Sequence, residues 1–156
     1  MKRRSYPLSR AAMRGVAAVE FGLLITPMVL MAFGATELGR AIYSYNTLDK
    51  RVRDAARHLS QHGPGDPVIR NEAKCIAVHG TTNCTGPVAA PGLTTAMVVV
   101  CDSTFCPSTH VITVPDAGTV SLVSASIQGY AYNSLVEFVI PDMTFNNITV
   151  TMRGLP

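Results

Sequence analysis

The chain contains no tryptophan, and only 6% of its 156 residues are aromatic. It therefore lacks the aromatic platform on which single-stranded nucleic acid or carbohydrate usually stacks. Charged residues are also scarce, at 15%, whereas 47% of the residues are apolar. This balance argues against intrinsic disorder. The length allows one modest domain plus an anchoring helix.

Motifs typical of enzymes are missing as well. The sequence has no G-x-S-x-G element, no P-loop and no paired-carboxylate pattern. Beyond the first helical region the only histidines that could act as bases are His79 and His110. We therefore predict that the protein is not an enzyme and needs no cofactor.

Acidic residues are absent from the first 15 positions, which hold five basic ones. The remaining residues contain eight basic and ten acidic side chains, a net charge of −2. A mildly acidic body argues against nucleic acid as a partner. The basic segment 1–15 is better interpreted as a leader that sets membrane topology.

A membrane-length apolar run follows this leader. Residues 16–36 contain a single charged residue, Glu20, and would form about 31 Å of helix, close to the thickness of a bilayer core. A cleaved secretory signal would have a shorter apolar core. Because basic residues are more frequent on the N-terminal flank, we expect a cytoplasmic N-terminus and an exported C-terminal part. Pro27 predicts a kink or a local loosening of this helix.

The helical pattern continues beyond the apolar run to residue 60. We expect this extension to bury one apolar stripe beneath a soluble domain. The predicted stripe consists of Leu38, Ile42, Tyr45, Leu48 or Asp49, Val52, Ala56 and Leu59.

The remaining segment, 61–156, predicts a soluble α+β domain. Asp66 and Pro67 are typical of a helix start, so a short helix is expected from about Pro67 to Val78. Runs rich in Val, Ile and Thr then predict antiparallel strands. These runs are Thr95–Cys101, His110–Val114, Thr119–Tyr132 (one strand, or two divided near Gln128-Gly129) and Asn147–Met152.

Four cysteines, Cys75, Cys84, Cys101 and Cys106, all follow the apolar run. An even number in an exported segment suggests two disulfides. Three pairings are open, of which Cys75–Cys84 with Cys101–Cys106 is the simplest locally. A zinc site is the weaker alternative because only one cysteine pair approaches the usual ligand spacing.

His58 and His62 are one helical turn apart but lack the intervening acid of H-E-x-x-H, so no metal site is predicted there.

Glu20 requires a neutralising partner if it enters the membrane, since a carboxylate there is costly. A cut after Gly15 would give Val16 a free ammonium group one helical turn away, which could pair with Glu20 of the same or an adjacent subunit. The alternative is that Glu20 lies among the headgroups and meets water.

The segment Arg14-Gly15-Val16-Ala17-Ala18-Val19-Glu20-Phe21 resembles the processing site of TadE-like pseudopilins of tight-adherence (Flp-type) pilus systems. Pro27, Glu37-Leu38-Gly39-Arg40 and Ala55-Ala56-Arg57 are also similar to the pattern of that family. Together they cover roughly residues 14–57, about a third of the chain. The resemblance implies a pilin-like fold and a minor pilus or assembly subunit that is not a catalyst.

The resemblance also implies specific roles and partners. A membrane prepilin peptidase is expected to cut after Gly15, and Glu20 with Phe21 to support processing or assembly. Other pilin subunits and an inner-membrane assembly platform would be the remaining partners.

Small residues of the first helix would permit close helix packing, namely Ala17, Ala18, Gly22 and Gly34. From their i,i+3 spacing alone, Glu37 and Arg40 are expected to form a local ion pair at the outer membrane interface, in preference to a contact with another subunit. The alternative function is a permanently anchored periplasmic binding or scaffold protein.

Overall fold

The computed structural model describes residues 10–115 and 118–155, with side chains from Gly15 onward. It confirms the α+β class, since a long N-terminal helix is followed by a small antiparallel sheet. The first nine residues of the predicted leader lie outside the described part.

Helix α1 runs from Arg10 to Ser60, a length of 51 residues. It begins inside the predicted leader because Ala11, Ala12 and Met13 all favour helix. The helix continues through Pro27. The hydroxyl of Thr26 donates to the carbonyl of Gly22 at 3.2 Å, so it does not satisfy the carbonyl of Leu23 that proline leaves free.

The buried stripe of α1 differs from the predicted one in its first half. Leu48, Val52, Ala56 and Leu59 are buried as expected. Before Leu48, however, the buried residues are Glu37 and Ala41, whereas Leu38, Ile42 and Tyr45 are exposed. The prediction assumed that the larger apolar side chains would face inward. The small side chain of Ala41 instead occupies the buried face, and hydrogen bonds compensate the burial of Glu37.

Helix α2 extends from Pro67 to His79, one residue beyond the predicted end. Its N-cap is Asp66, whose carboxylate accepts a hydrogen bond from the amide of Val68 at 2.8 Å. Its C-cap is Gly80, which has a φ of 77° that favours glycine. The guanidinium of Arg51 lies against this glycine, so α2 is closely packed on α1.

The elements that follow α2 form the sheet region. In chain order they are a 3-10 turn Thr95–Met97, β1 Val98–Cys101, the one-turn helix α3 Pro107–His110, β2 Val111–Val114, β3 Gly118–Ile127, β4 Ala131–Tyr132, β5 Met143–Thr144 and β6 Ile148–Arg153. Strand β3 pairs in antiparallel fashion with β1, β2 and β6, while β4 and β5 form a separate two-stranded sheet.

Each predicted run contains a strand, but the bounds of the strands differ from the predicted ones. The predicted segment Thr119–Tyr132 forms two strands, β3 and β4, because Gly129 adopts a φ of 66° between them. Strand β5 was not predicted, since a two-residue strand has no alternation to detect. The core lies between the second half of α1, helix α2 and the inner face of the sheet.

Candidate functional site

No described residue buries the side chains of α1 from Gly15 to Phe33. The apolar side chains between Val16 and Phe33 are exposed. The helix is long and apolar enough to cross a membrane, and none of its most apolar part is buried. Such a surface would be unfavourable in water, and it fits a single-pass membrane anchor.

The residues predicted for processing lie along this exposed segment. Gly15, Val16, Glu20 and Phe21 are all exposed parts of α1. The same is true of the predicted packing residues Ala17, Ala18 and Gly22. A methyl group built on Gly15 or Gly22 would meet no atom within 4 Å. This stretch therefore presents small residues that are free to contact another helix.

Gly34 differs from the other predicted packing residues because the same chain already uses it. A methyl group at this position would lie 3.4 Å from Cγ1 of Val139. Val139 belongs to the loop between β4 and β5. We call residues 16–36 the apolar segment. The close approach at Gly34 is thus an intrachain contact between the end of the apolar segment and the C-terminal part.

Glu37 lies one turn after Gly34 and is only 2% exposed. Its Oε1 accepts hydrogen bonds from Nη2 of Arg40 at 2.8 Å, from the hydroxyl of Tyr132 at 2.8 Å and from the amide of Leu135 at 3.2 Å. Three donors therefore converge on one oxygen. We call Glu37, Arg40, Tyr132 and Leu135 the Glu37 cluster.

Arg40 connects the cluster to the loop in two further ways. Its guanidinium donates to the carbonyl of Asn133 and lies 4.8 Å from the centre of the Tyr132 ring. Tyr132 also stacks on Phe145, with ring centres 5.5 Å apart. The cluster fixes the strand β4 and the following loop against α1 at the point where the apolar segment ends.

The electrostatics of the cluster favour a charged Glu37. The hydrogen bond from Arg40 is the main cause that lowers the pKa of Glu37 from 4.5 to about 2, with smaller contributions from Tyr132 and the Leu135 amide, against the opposing effect of burial. Glu37 in turn raises the pKa of Arg40. Burial raises the pKa of Tyr132, so its hydroxyl remains a donor.

A pH dependence follows from the lowered pKa. Because the folded pKa of Glu37 is below the unfolded one, its stabilising effect is complete above pH 4.5 and is lost as the pH falls towards 2. We expect the difference in melting temperature between the wild type and Glu37→Gln to be constant above this window and to shrink within it. Thermal unfolding followed by circular dichroism at several pH values measures this. A difference that persists undiminished at the acid end would contradict the assignment.

The sequence predicted the Glu37–Arg40 pair but not the residues that bury it. Arg40 and Glu37 do form an ion pair at 2.8 Å. Tyr132 and Leu135 are more than 90 residues away in the chain, and no local pattern links them to Glu37. The acid itself gave no signal, because the predicted stripe placed Leu38 rather than Glu37 on the buried face of α1.

The cysteines are paired locally. Disulfides join Cys75 to Cys84 and Cys101 to Cys106, the pairing that is simplest in sequence. Cys101, Cys106 and His110 are the only group of metal-ligand types found close together among the described residues, and its two sulfurs are bonded to each other. Two further ion pairs involve α1. Asp49 pairs with Arg53 within the helix at 2.8 Å, and His58 contacts Glu72 of α2 at 2.9 Å.

Residues 15–57 match the family model described as TadE-like protein. The match begins at the glycine where processing is predicted and ends within the buried part of α1, and it confirms the resemblance drawn from the sequence. No curated protein and no solved structure matches the chain. The match points to a subunit associated with tight-adherence pili, a family of structural rather than enzymatic proteins.

Proposed function

We propose that the protein is a minor pseudopilin of a tight-adherence pilus system. It is inserted with a cytoplasmic N-terminus, cut after Gly15 by a prepilin peptidase, and packed through α1 against other subunits at the base of the pilus or within it. The observation that carries this proposal is the TadE-like match over residues 15–57, a segment whose side chains from Gly15 to Phe33 are exposed in the described structure.

The helix supplies a plausible packing surface for assembly. Ala17, Ala18 and Gly22 are exposed and small, and such residues allow helix backbones to approach closely in a membrane. Beyond the membrane segment, Leu38 and Ile42 are exposed on the side of α1 that does not face the core. This continuation supports a contact surface that extends past the membrane boundary.

Processing would complete this surface electrostatically. Removal of residues 1–15 places an ammonium group on Val16, one helical turn from Glu20 on the exposed helix. In the low dielectric of the membrane, a pair between this ammonium and Glu20 of a neighbouring subunit would be strong. Processed subunits would therefore associate more readily than unprocessed ones.

Replacement of Glu20 by alanine tests this step. We expect the variant to insert in the membrane, but its share in cross-linked complexes with other pilus subunits in native membranes should fall by about tenfold, the change that accompanies loss of about 1.4 kcal/mol of association free energy. Thr26→Ala is the matched control, because it removes a polar group that bonds only within its own helix. Wild-type levels of complex for Glu20→Ala would refute the proposed pairing.

A further inference from the structure

Two large apolar side chains project from the loop between β4 and β5. Leu135 and Phe138 are each 76% exposed, more than any other large apolar residue that the structure describes. The amides of Val139 and Ile140 both donate to the carbonyl of Val136, at 2.9 and 3.1 Å, so the loop contains a hydrogen-bonded turn. We call residues 135–140 the apolar turn.

The apolar turn lies at the height where α1 leaves the apolar segment. Val139 approaches Gly34, and the amide of Leu135 donates to Glu37 at 3.2 Å. Gly34 is two residues before the end of the apolar segment, about 3 Å of helix rise. If residues 16–36 span the bilayer, the turn therefore lies at its outer boundary.

Hydrogen bonds of the neighbouring residues hold the apolar turn in this position. Tyr132, just before it, bonds Glu37 at 2.8 Å, and the amide of Ser134 donates to the carboxylate of Asp142 at 2.7 Å, which closes the loop on itself. These contacts hold the chain just before and just after the apolar turn, and Leu135 and Phe138 are exposed in this arrangement.

From these positions we infer that the apolar turn inserts into the outer interfacial layer of the membrane, as a second lipid contact beside α1. Apolar side chains that lie in the membrane interface enter roughly 5–10 Å into the boundary between headgroups and acyl chains. The exposed carboxylate of Glu137 would remain among the headgroups, so a zwitterionic surface suits the turn better than an anionic one. The contact would fix the orientation of the C-terminal part on the membrane before assembly.

The inference requires the membrane anchor but not the cleavage after Gly15. It adds a lipid-binding element in the C-terminal part, far in sequence from the segment that matches the family model. A neighbouring subunit is the other occupant that could cover Leu135 and Phe138. We favour lipid because the turn is continuous in space with the end of the apolar segment through Val139 and Gly34.

The absence of tryptophan from the chain allows a direct test with single-tryptophan variants of the full chain in phosphatidylcholine vesicles. Emission from Phe138→Trp should be blue-shifted, and it should fall by about half when the acyl chains are brominated near the headgroups, because a side chain at the interfacial depth contacts that bromine. Bromine near the acyl-chain ends should quench it less.

Two matched variants make the outcome decisive. Phe33→Trp, in the apolar segment, should be quenched and shows that the anchor is inserted. Phe105→Trp should be unaffected, because the amide of Phe105 is bonded to Asp102, which also binds Gly65 beyond the far end of α1. Quenching of Phe33→Trp without quenching of Phe138→Trp would overturn the inference while leaving the anchor intact. A blue shift of Phe138→Trp that depends on protein density, without bromine quenching, would also overturn it, in favour of a subunit contact.

Discussion

Replacing Gly15 with leucine should strongly reduce cleavage after this residue, so that most chains isolated from native membranes retain residues 1–15. Gly15 is an exposed position in a continuous helix, and a peptidase must unwind the helix locally to reach the bond. Glycine favours this because it has the lowest helix propensity of any residue other than proline. A leucine both stabilises the helix and places a large side chain beside the bond. The processed fraction should fall by about tenfold or more, equivalent to about 1.4 kcal/mol in the barrier.

Gly39→Leu is the matched control for this experiment. Gly39 is also helical, and a methyl group there meets no atom within 4 Å. The control should be processed like the wild type, since it lies 24 residues from the bond. Processing is read from the size of the protein on gels of membrane fractions. Equal processing of Gly15→Leu and the wild type would place the cut elsewhere or show that there is none.

Replacing Glu37 with alanine should lower the melting temperature by about 5–10 °C, since three donors lose their shared acceptor and some remain buried. The donors are Arg40, Tyr132 and the amide of Leu135. Glu37→Gln should have a smaller effect because its amide oxygen can still accept. Thermal unfolding in detergent, followed by circular dichroism above pH 5, gives these values.

Two further variants distinguish the cluster from a general effect of removing an acid. Glu137→Ala removes an exposed glutamate from the same loop and should change the melting temperature by no more than about 2 °C. Tyr132→Phe combined with Glu37→Ala should cost less than the sum of the single variants, because the two residues share a hydrogen bond. Strict additivity would contradict the proposed cluster.

The fold could be predicted from the sequence wherever the signal was local. The apolar segment, the Asp66 cap and the runs of β-branched residues each specify their element through neighbouring residues. The orientation of α1 could not be predicted in its middle, since Ala41 and Glu37 are buried while Leu38 and Ile42 are exposed. Hydrophobicity alone predicts that the larger side chains, Leu38 and Ile42, face the core. In the structure the small side chain of Ala41 is buried instead.

The candidate site was predictable in part for the same reason. Residues 14–21 form a compact motif, so a processing region could be predicted from adjacent positions, and it stays a prediction. The Glu37 cluster joins α1 to β4 and its loop across more than 90 residues. Such contacts depend on the tertiary arrangement, and a single sequence contains no periodic or spacing signal for them. The lipid contact inferred for the apolar turn also depends on tertiary contacts, those that place the turn beside Gly34 and Glu37.

The most direct test of the proposed function is the intact mass of the protein purified from native membranes of cells that contain the prepilin peptidase. Our account predicts a chain that begins at Val16 and carries both disulfides. A chain that retains residues 1–15 would contradict it. The protein would then be a permanently anchored binding or scaffold protein, and its function would depend on residues 61–156 rather than on the packing of a processed helix.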